Sequence, residues 1–216
     1  MAEKKFSLDQ YKAKRDFGKT PEPAPETVDS GVEVAVEGPF VIHRHEARNL
    51  HYDLRLGMEG VLKSWAVPKG FSWVPEDKHL AVRTEDHPWE YLEFDGTIPK
   101  GQYGAGSMTI WDTGTFRMVK GADGLTGIDD GKLEFELLGG RVRGQWHMVR
   151  LAKSTKDWLL FKYKDRYARE EGEPVFPLDL SRVKPSAFPR TPKVMLPGDE
   201  RAPFSDPAWA FELEFS

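Results

Sequence analysis

No cysteine occurs in the 216 residues of this chain. Disulfides, thiolate metal ligands and a cysteine nucleophile are therefore excluded. Long apolar runs are missing too, and no segment has the length of a membrane-spanning helix. The start, Met1-Ala-Glu-Lys-Lys5, lacks the apolar centre of a signal peptide, so a cytoplasmic protein with no membrane partner is expected. Charge of one sign is not in large excess. The net charge of −4 argues against indiscriminate nucleic-acid binding. The distribution is less even: Arg141, Arg143, Arg150, Lys153, Lys156, Lys162, Lys164, Arg166 and Arg169 face only Asp157 and Asp165. A solvated strand-and-turn surface accounts for such a run, and a phosphate-backbone track is the functional alternative.

Helical periodicity is scarce, and the best helical turn lies near Gly121–Ile128. What is present is a soluble composition, 39% hydrophobic and 31% charged, enough for one sizeable core with polar tails. Residues 1–35 read as a Pro-rich arm, with Phe17 as an apolar anchor for docking. Residues 36–168 read as short strands over 39–44, 50–57, 61–67, 79–86, 107–111, 114–119, 132–138, 141–149 and 158–163. Turns are expected at Met58–Gly60, Asp112–Gly114 and Gly139–Gly140. The fold class is all-β, an antiparallel barrel or sandwich. Residues 169–216 read as a Pro-rich linker and tail, with a possible strand at Trp209–Phe215.

The densest chemistry lies between His45 and Arg55. From Leu50 to Leu56 the sequence alternates, so Leu50, Tyr52, Leu54 and Leu56 face one way on a strand and His51, Asp53 and Arg55 the other. His45, just upstream, can supply a third ligand. Two imidazoles and a carboxylate suit a divalent metal with open positions. The neighbouring guanidinium suits an anion, because its fork matches phosphate or carboxylate oxygens. The bland alternative is a salt-linked surface pair. A second polar face, Arg83, Glu85 and His87, again has period two and is expected to confront the first across a barrel mouth. Taken alone, Glu85 and His87 also fit a satisfied cross-strand pair. Lys63 and Lys69 flank Trp65-Ala-Val-Pro68; Lys63 reads as a surface lysine, although an ammonium beside a phosphate is conceivable. Gly101-Gln-Tyr-Gly-Ala-Gly106 lacks the context of a nucleotide fingerprint and reads as a loop whose glycines permit unusual dihedrals or close backbone approach.

Several segments occur in a telling order: Lys14-Arg-Asp-Phe17, Thr20-Pro-Glu-Pro23, Phe40-Val-Ile-His-Arg-His45, Leu50-His-Tyr-Asp-Leu-Arg-Leu56, Gly60-Val-Leu-Lys-Ser-Trp-Ala-Val-Pro-Lys-Gly70, Glu85-Asp-His-Pro88, Gly101–Gly106 and Trp158-Leu-Leu-Phe-Lys162. Over about residues 8–168 the chain resembles the 3′-phosphoesterase domain of bacterial ligase D and its stand-alone relatives. The resemblance implies a small antiparallel β-barrel with the site in a crescent groove. It implies manganese, with other divalent ions such as cobalt as alternatives, on His45, His51 and Asp53. Phosphate contacts fall on Arg55 and His87, with Lys69 nearby. Glu85 and Tyr91 match further active-site positions, and Arg15, Asp16 and Glu22 match residues of the arm tied to activity. Arg83, on the second polar face, joins the expected substrate contacts. The implied reaction is DNA repair at the 3′ end of a DNA or DNA/RNA primer–template. A phosphodiesterase step removes a terminal ribonucleoside, and a phosphomonoesterase step then leaves a 3′-hydroxyl. The implied partners are a separate DNA ligase, a polymerase and an end-binding protein of an end-joining pathway.

Two departures stand out. Where the family carries a phosphate-binding arginine, this chain has His79, which is shorter and titratable, so a weaker or pH-dependent grip is expected. In the tail, Met195-Leu196 and Trp209-Ala-Phe-Glu212 resemble the entry to a ligase domain, but the nucleotidyl lysine would fall near Glu214 and no Lys-x-Asp-Gly is present. The chain is not expected to ligate by itself. Two rival readings remain. One is an iron(II) oxygenase with His51, Asp53 and His147 on the metal and Arg150 on a co-substrate carboxylate. The other is a non-catalytic DNA-end-binding module, in which His79 marks lost activity.

Overall fold

The computed structural model describes residues 8–25, 36–119 and 122–170. The expected linker, the ligase-entry segment and the Trp209–Phe215 strand lie outside the described residues, as do 1–7 and 26–35 of the arm.

The framework is a meander of antiparallel strands. β1 (Glu37–Glu46), β2 (Leu50–Met58) and β3 (Val61–Val67) pair in sequence order. The expected turn between β2 and β3 holds Glu59 and Gly60 at φ 48° and 74°, the left-handed pair that suits the twist of a hairpin. β4 (His79–Arg83) follows, then β5 (His87–Pro88), β6 (Gly96–Ile98), β7 (Gly106–Met118), β8 (Lys132–Gly139), β9 (Arg143–Arg150) and β10 (Asp157–Lys162). The order β1-β2-β3-β4-β10-β9-β8-β7, with β7 pairing back onto β1, closes an 8-strand antiparallel barrel. Short β5 and β6 add to β3 and β7.

Strand alternation sorts the side chains into two cores. Phe40, Ile42, Leu54, Leu56 and Trp65 point into the barrel and meet Phe116, Leu137, Trp146 and Trp158 from the far wall. Their neighbours on β1–β3 point outward. There a second core forms from Val41, Leu62, Ile98, Met108, Tyr91 and Leu92, covered by Tyr11 of helix α1 (Asp9–Ala13) and by Leu8 just before it. Phe17 packs against this second core, as the arm's anchor should. The helix itself has no counterpart in the sequence reading. Helix α2 (Gly124–Asp130), the expected helical turn, is capped by Asp123 and packs Leu125 and Ile128 on the barrel core.

Two expectations about strands are corrected. Asp112–Gly114 is not a turn; it lies inside the continuous strand β7. The register to β1 shifts there, with Ile42 opposite Asp112 but His43 opposite Ile110. This bulge at Trp111 reverses which face of β7 points outward. Met118 and Phe116 therefore fill the barrel, whereas Met108 joins the outer core. Asp112 spends its carboxylate on the backbone N–H groups of Thr113, Gly140, Arg141 and Val142. The expected strand 79–86 ends at Arg83; Thr84 still donates to the Ser64 carbonyl of β3, but residues 84–86 are irregular before β5.

Candidate metal centre

The outer face of β1–β2 carries the dense polar motif. Asp53 and Arg55 are buried there because α1, the 3-10 turn Trp89–Leu92 and the Gly101–Gly106 loop cover that wall. His45 pairs directly with His51 across the two strands, so one register brings both rings to the Asp53 carboxylate. His45 Nδ1 lies 3.7 Å from Asp53 Oδ2, and His51 Nε2 lies 3.6 Å from Asp53 Oδ1. One donor atom from each of the three residues falls within 4.8 Å of the others.

The outer hydrogen bonds decide how the rings present themselves. His45 Nε2 donates to the Gly104 carbonyl at 2.9 Å, and His51 Nδ1 donates to the Asn49 carbonyl at 2.9 Å. A carbonyl only accepts, so both protons sit on the outer nitrogens and both lone pairs face Asp53. Burial works to raise the Asp53 carboxyl, but the Arg55 guanidinium and the neighbouring imidazoles outweigh it and hold it at about 2. An ionised carboxylate and two imidazole lone pairs converging on one point fit a divalent cation.

Arg55 is the next shell of charge. It donates from Nη2 to Asp53 Oδ2 at 3.1 Å, from Nη1 to Ser64 Oγ at 3.0 Å and from Nε to His43 Nδ1 at 3.3 Å. His43 in turn donates from Nε2 to the Phe94 carbonyl, and burial followed by the Arg55 charge lowers it to about 3, so it stays neutral. The Tyr91 ring lies beside both cation and imidazole, 4.7 Å from Arg55 and 4.9 Å from the His87 ring.

His87 and Glu85 reach this wall from the segment before and within β5. They do not confront the metal ligands across a barrel mouth; both faces meet on the outside of the barrel. His87 Nδ1 donates to the Glu85 carbonyl at 2.9 Å, leaving Nε2 towards Arg15 Nη2 at 3.5 Å. Burial, then Arg55 and Arg15, push His87 well below the usual imidazole range. The Glu85 carboxylate accepts from Lys14 at 2.9 Å and Arg15 at 3.1 Å. Those bonds overcome burial and lower its pKa. Arg15 also binds Glu22 at 2.7 Å, and Glu22 accepts from Tyr91 at 2.6 Å and Thr20 at 2.9 Å.

The structure thus gathers His45, His51, Asp53, Arg55, Glu85, His87, Tyr91, Arg15 and Glu22 on one outer wall of the barrel. It does not gather the rest. Asp16 is half exposed, bonded to Lys19 at 2.8 Å and to the Gly18 amide. His79 donates from Nδ1 to the Gly70 carbonyl at 2.7 Å, which spends it on the β3–β4 loop. Lys69 is exposed in that loop. Arg83 lies over the Trp65 ring and binds Asp86 at 2.7 Å. Lys63 is not a surface lysine but is buried and bonded to Asp86 at 2.6 Å, where it braces the segment carrying Glu85 and His87. His147 stacks on Tyr163 on β9, across the barrel from β2, so the iron-oxygenase ligand set is not assembled. The basic run belongs to that far wall as well: Lys162 is fully buried on Asp165, and Arg150 binds the α2 carbonyls of Ile128 and Asp129.

Several residues of this wall escaped the sequence reading. His43 was legible as the middle of the alternation Val41, His43, His45. Ser64, Lys14 and Thr20 carry no local signal of their own.

A closed barrel bearing two imidazoles, a carboxylate and a buried guanidinium on its outer wall has the donor set that could hold a metal ion, with a cation beside it. Comparison with known proteins makes the class specific. The family model of the DNA ligase D 3′-phosphoesterase domain matches residues 43–150, and the chain belongs to that family. It is similar to the multifunctional non-homologous end joining protein LigD of Pseudomonas aeruginosa, 38% identical over 93% of this chain and 23% of the relative. It is also similar to LigD of Mycolicibacterium smegmatis, 44% identical over 74% of this chain and 21% of the relative. LigD of Mycobacterium tuberculosis is 42% identical over 74% of this chain and 20% of the relative. The chain therefore spans about a fifth to a quarter of the length of these curated relatives.

Proposed function

We propose that this chain is a divalent-metal-dependent phosphoesterase that heals DNA 3′ ends during end-joining repair. The observation that carries the reading is the Asp53 carboxylate, which faces two imidazole lone pairs and is bonded at 3.1 Å to a buried arginine. Family membership supports a phosphoester at a DNA 3′ end as the substrate class; the proposed form is a primer–template end carrying a 3′-ribonucleoside or a 3′-phosphate. Manganese is the proposed metal, with cobalt as an alternative.

His45, His51 and Asp53 would hold the cation, which when bound neutralises and polarises phosphate oxygens. Arg55 has five N–H groups, and its bonds to Asp53, Ser64 and His43 leave one free on each terminal nitrogen. Those two N–H groups form the fork for a phosphate and stabilise the charge that builds in the transition state. His87 rests neutral, with Nδ1 bonded to the Glu85 carbonyl and Nε2 3.5 Å from Arg15 Nη2. A phosphate arriving beside it brings negative charge, raises its proton affinity and equips it to donate to the leaving oxygen. Glu85 fixes His87 through its backbone carbonyl and the arm through its carboxylate. Arg15, Glu22 and Tyr91 hold the arm against this wall, and the role proposed for the arm is to sense the terminal ribose. A ligase, a polymerase and an end-binding protein of the same pathway, in the cytoplasm, are the proposed partners.

The test is a gel assay on a 5′-labelled primer–template ending in one 3′-ribonucleotide. With manganese, the primer should convert first to a 3′-phosphate and then to a 3′-hydroxyl; EDTA or Asp53→Ala should stop both steps. Binding of the primer without turnover in manganese, cobalt or magnesium would overturn the reading in favour of an end-binding module.

A further inference from the structure

Tyr103 takes no part in the proposed metal, phosphate or arm-holding contacts. It stands at the edge of the candidate site with 48% of its surface exposed, the most exposed aromatic ring among the described residues. The other ring of comparable exposure, Tyr163, is on the opposite wall of the barrel. An exposed ring in a loop is usually mobile, but this one is pinned. Lys14 Nζ lies 3.3 Å from its hydroxyl and 4.6 Å from the ring centre, and the Arg15 guanidinium lies 5.5 Å from the same centre. Its neighbour Gly104 accepts the His45 hydrogen bond, so the loop is fixed to a metal ligand. Gly104 and Gly106 have φ of 75° and 151°, and a Cβ on Gly106 would strike the Glu46 carbonyl. These glycines let the loop press against the end of β1 and set the ring beside the site.

A rigid, half-exposed aromatic ring flanked by cations is the standard platform for a nucleobase, because every base offers a π-face and the cations hold the adjoining backbone. We propose that Tyr103 stacks the base of the nucleotide that bears the reacting phosphate, so that the end is positioned by its base as well as by its phosphate. This rests on the proposed DNA 3′-end substrate. Sequence preference is not implied, since stacking accepts any base; an end lacking its base is what the platform discriminates against.

The experiment reads binding apart from turnover. Two fluorescein-labelled primer–templates with a 3′-phosphate are compared by anisotropy in EDTA, one with a terminal base and one with an abasic terminal sugar. Wild type should bind the base-bearing end about ten-fold more tightly, a typical size for one stacked base. Tyr103→Leu should lose that preference and Tyr103→Phe should keep it, although Phe lacks the hydroxyl that meets Lys14. Equal affinity of wild type for both ends overturns the proposal. So does Tyr103→Leu weakening both ends equally, which would make Tyr103 only a prop for the arm. Absence of turnover in manganese would instead defeat the phosphoesterase reading and leave the stacking result to stand on the binding data.

Discussion

Asp53 and Arg55, two residues apart on β2, meet at one carboxylate oxygen: Asp53 Oδ2 accepts from Arg55 Nη2 at 3.1 Å while facing His45 Nδ1 at 3.7 Å. The period-two spacing of a strand makes this contact possible, because both side chains leave the same face. In the proposed function it would tie the cation site to the anion site, so that a metal and a phosphate would be presented side by side. Arg55→Lys keeps a positive charge but loses the fork and the bonds to Ser64 and His43. Turnover should fall about 100-fold or more while manganese affinity changes little. Steady-state kinetics and manganese binding by calorimetry check both halves; a fall in metal affinity as large as the fall in rate would contradict the division of labour.

The arm is held by buried charge. Arg15 and Glu22 have side chains 4% and 0% exposed, and Glu22 also carries the Tyr91 hydroxyl. Glu22→Ala leaves a guanidinium, a phenol and the Thr20 hydroxyl short of an acceptor. The expected cost is about 3 kcal/mol, read from urea unfolding, together with faster proteolysis before residue 25. An unchanged urea midpoint with an unchanged cleavage rate would show that the arm is not secured by this pair.

Stability should depend on pH through His87. Its folded proton affinity lies below its unfolded value. Between the two values the unfolded chain binds more protons, so stability rises with pH and is lost as pH falls below about 6.5. One such group contributes a slope of up to about 1.4 kcal/mol per pH unit. Urea midpoints at pH 7, 6 and 5 in EDTA should fall less steeply in His87→Asn than in wild type. Identical slopes would mean that His87 is not held neutral in the fold.

Asp112 gives a control that separates fold from site. Its carboxylate satisfies backbone N–H groups at the β8–β9 turn, away from the metal ligands. Asp112→Ala should cost about 3 kcal/mol in urea unfolding, with the rate per folded molecule unchanged. A large loss of rate in protein shown to be folded would mean that the barrel end and the site are coupled.

That residue also shows what the sequence conceals. Asp112-Thr-Gly114 has the composition of a turn, and only the pairing with β1 reveals a bulge inside a long strand. The shared face of the candidate ligands was legible because strand alternation is local: His51, Asp53 and Arg55 must share a face wherever β2 lies. His45 was read only as an upstream residue able to supply a third ligand, and the β1–β2 register explains how it reaches Asp53. What alternation does not state is which side of the barrel that face occupies, so the two polar faces were expected across a mouth when they meet on the outer wall. Charge alone was the poorer guide. Lys63, Arg83, Arg150 and Lys162 are consumed by buried ion pairs or by carbonyls, and the sequence gives no sign of their partners. Asp16 and His79 were placed by resemblance, and in this structure local bonds to Lys19 and Gly70 hold them away from that cluster.

The most direct measurement is a titration of metal-stripped protein with manganese while following release of phosphate from a 3′-phosphate primer–template. The account predicts no turnover before addition, a rise to a plateau at about one ion per chain, and no activity in Asp53→Asn at the same manganese concentration. Full activity in the stripped protein, or an Asp53→Asn curve that reaches the wild-type plateau, would contradict it.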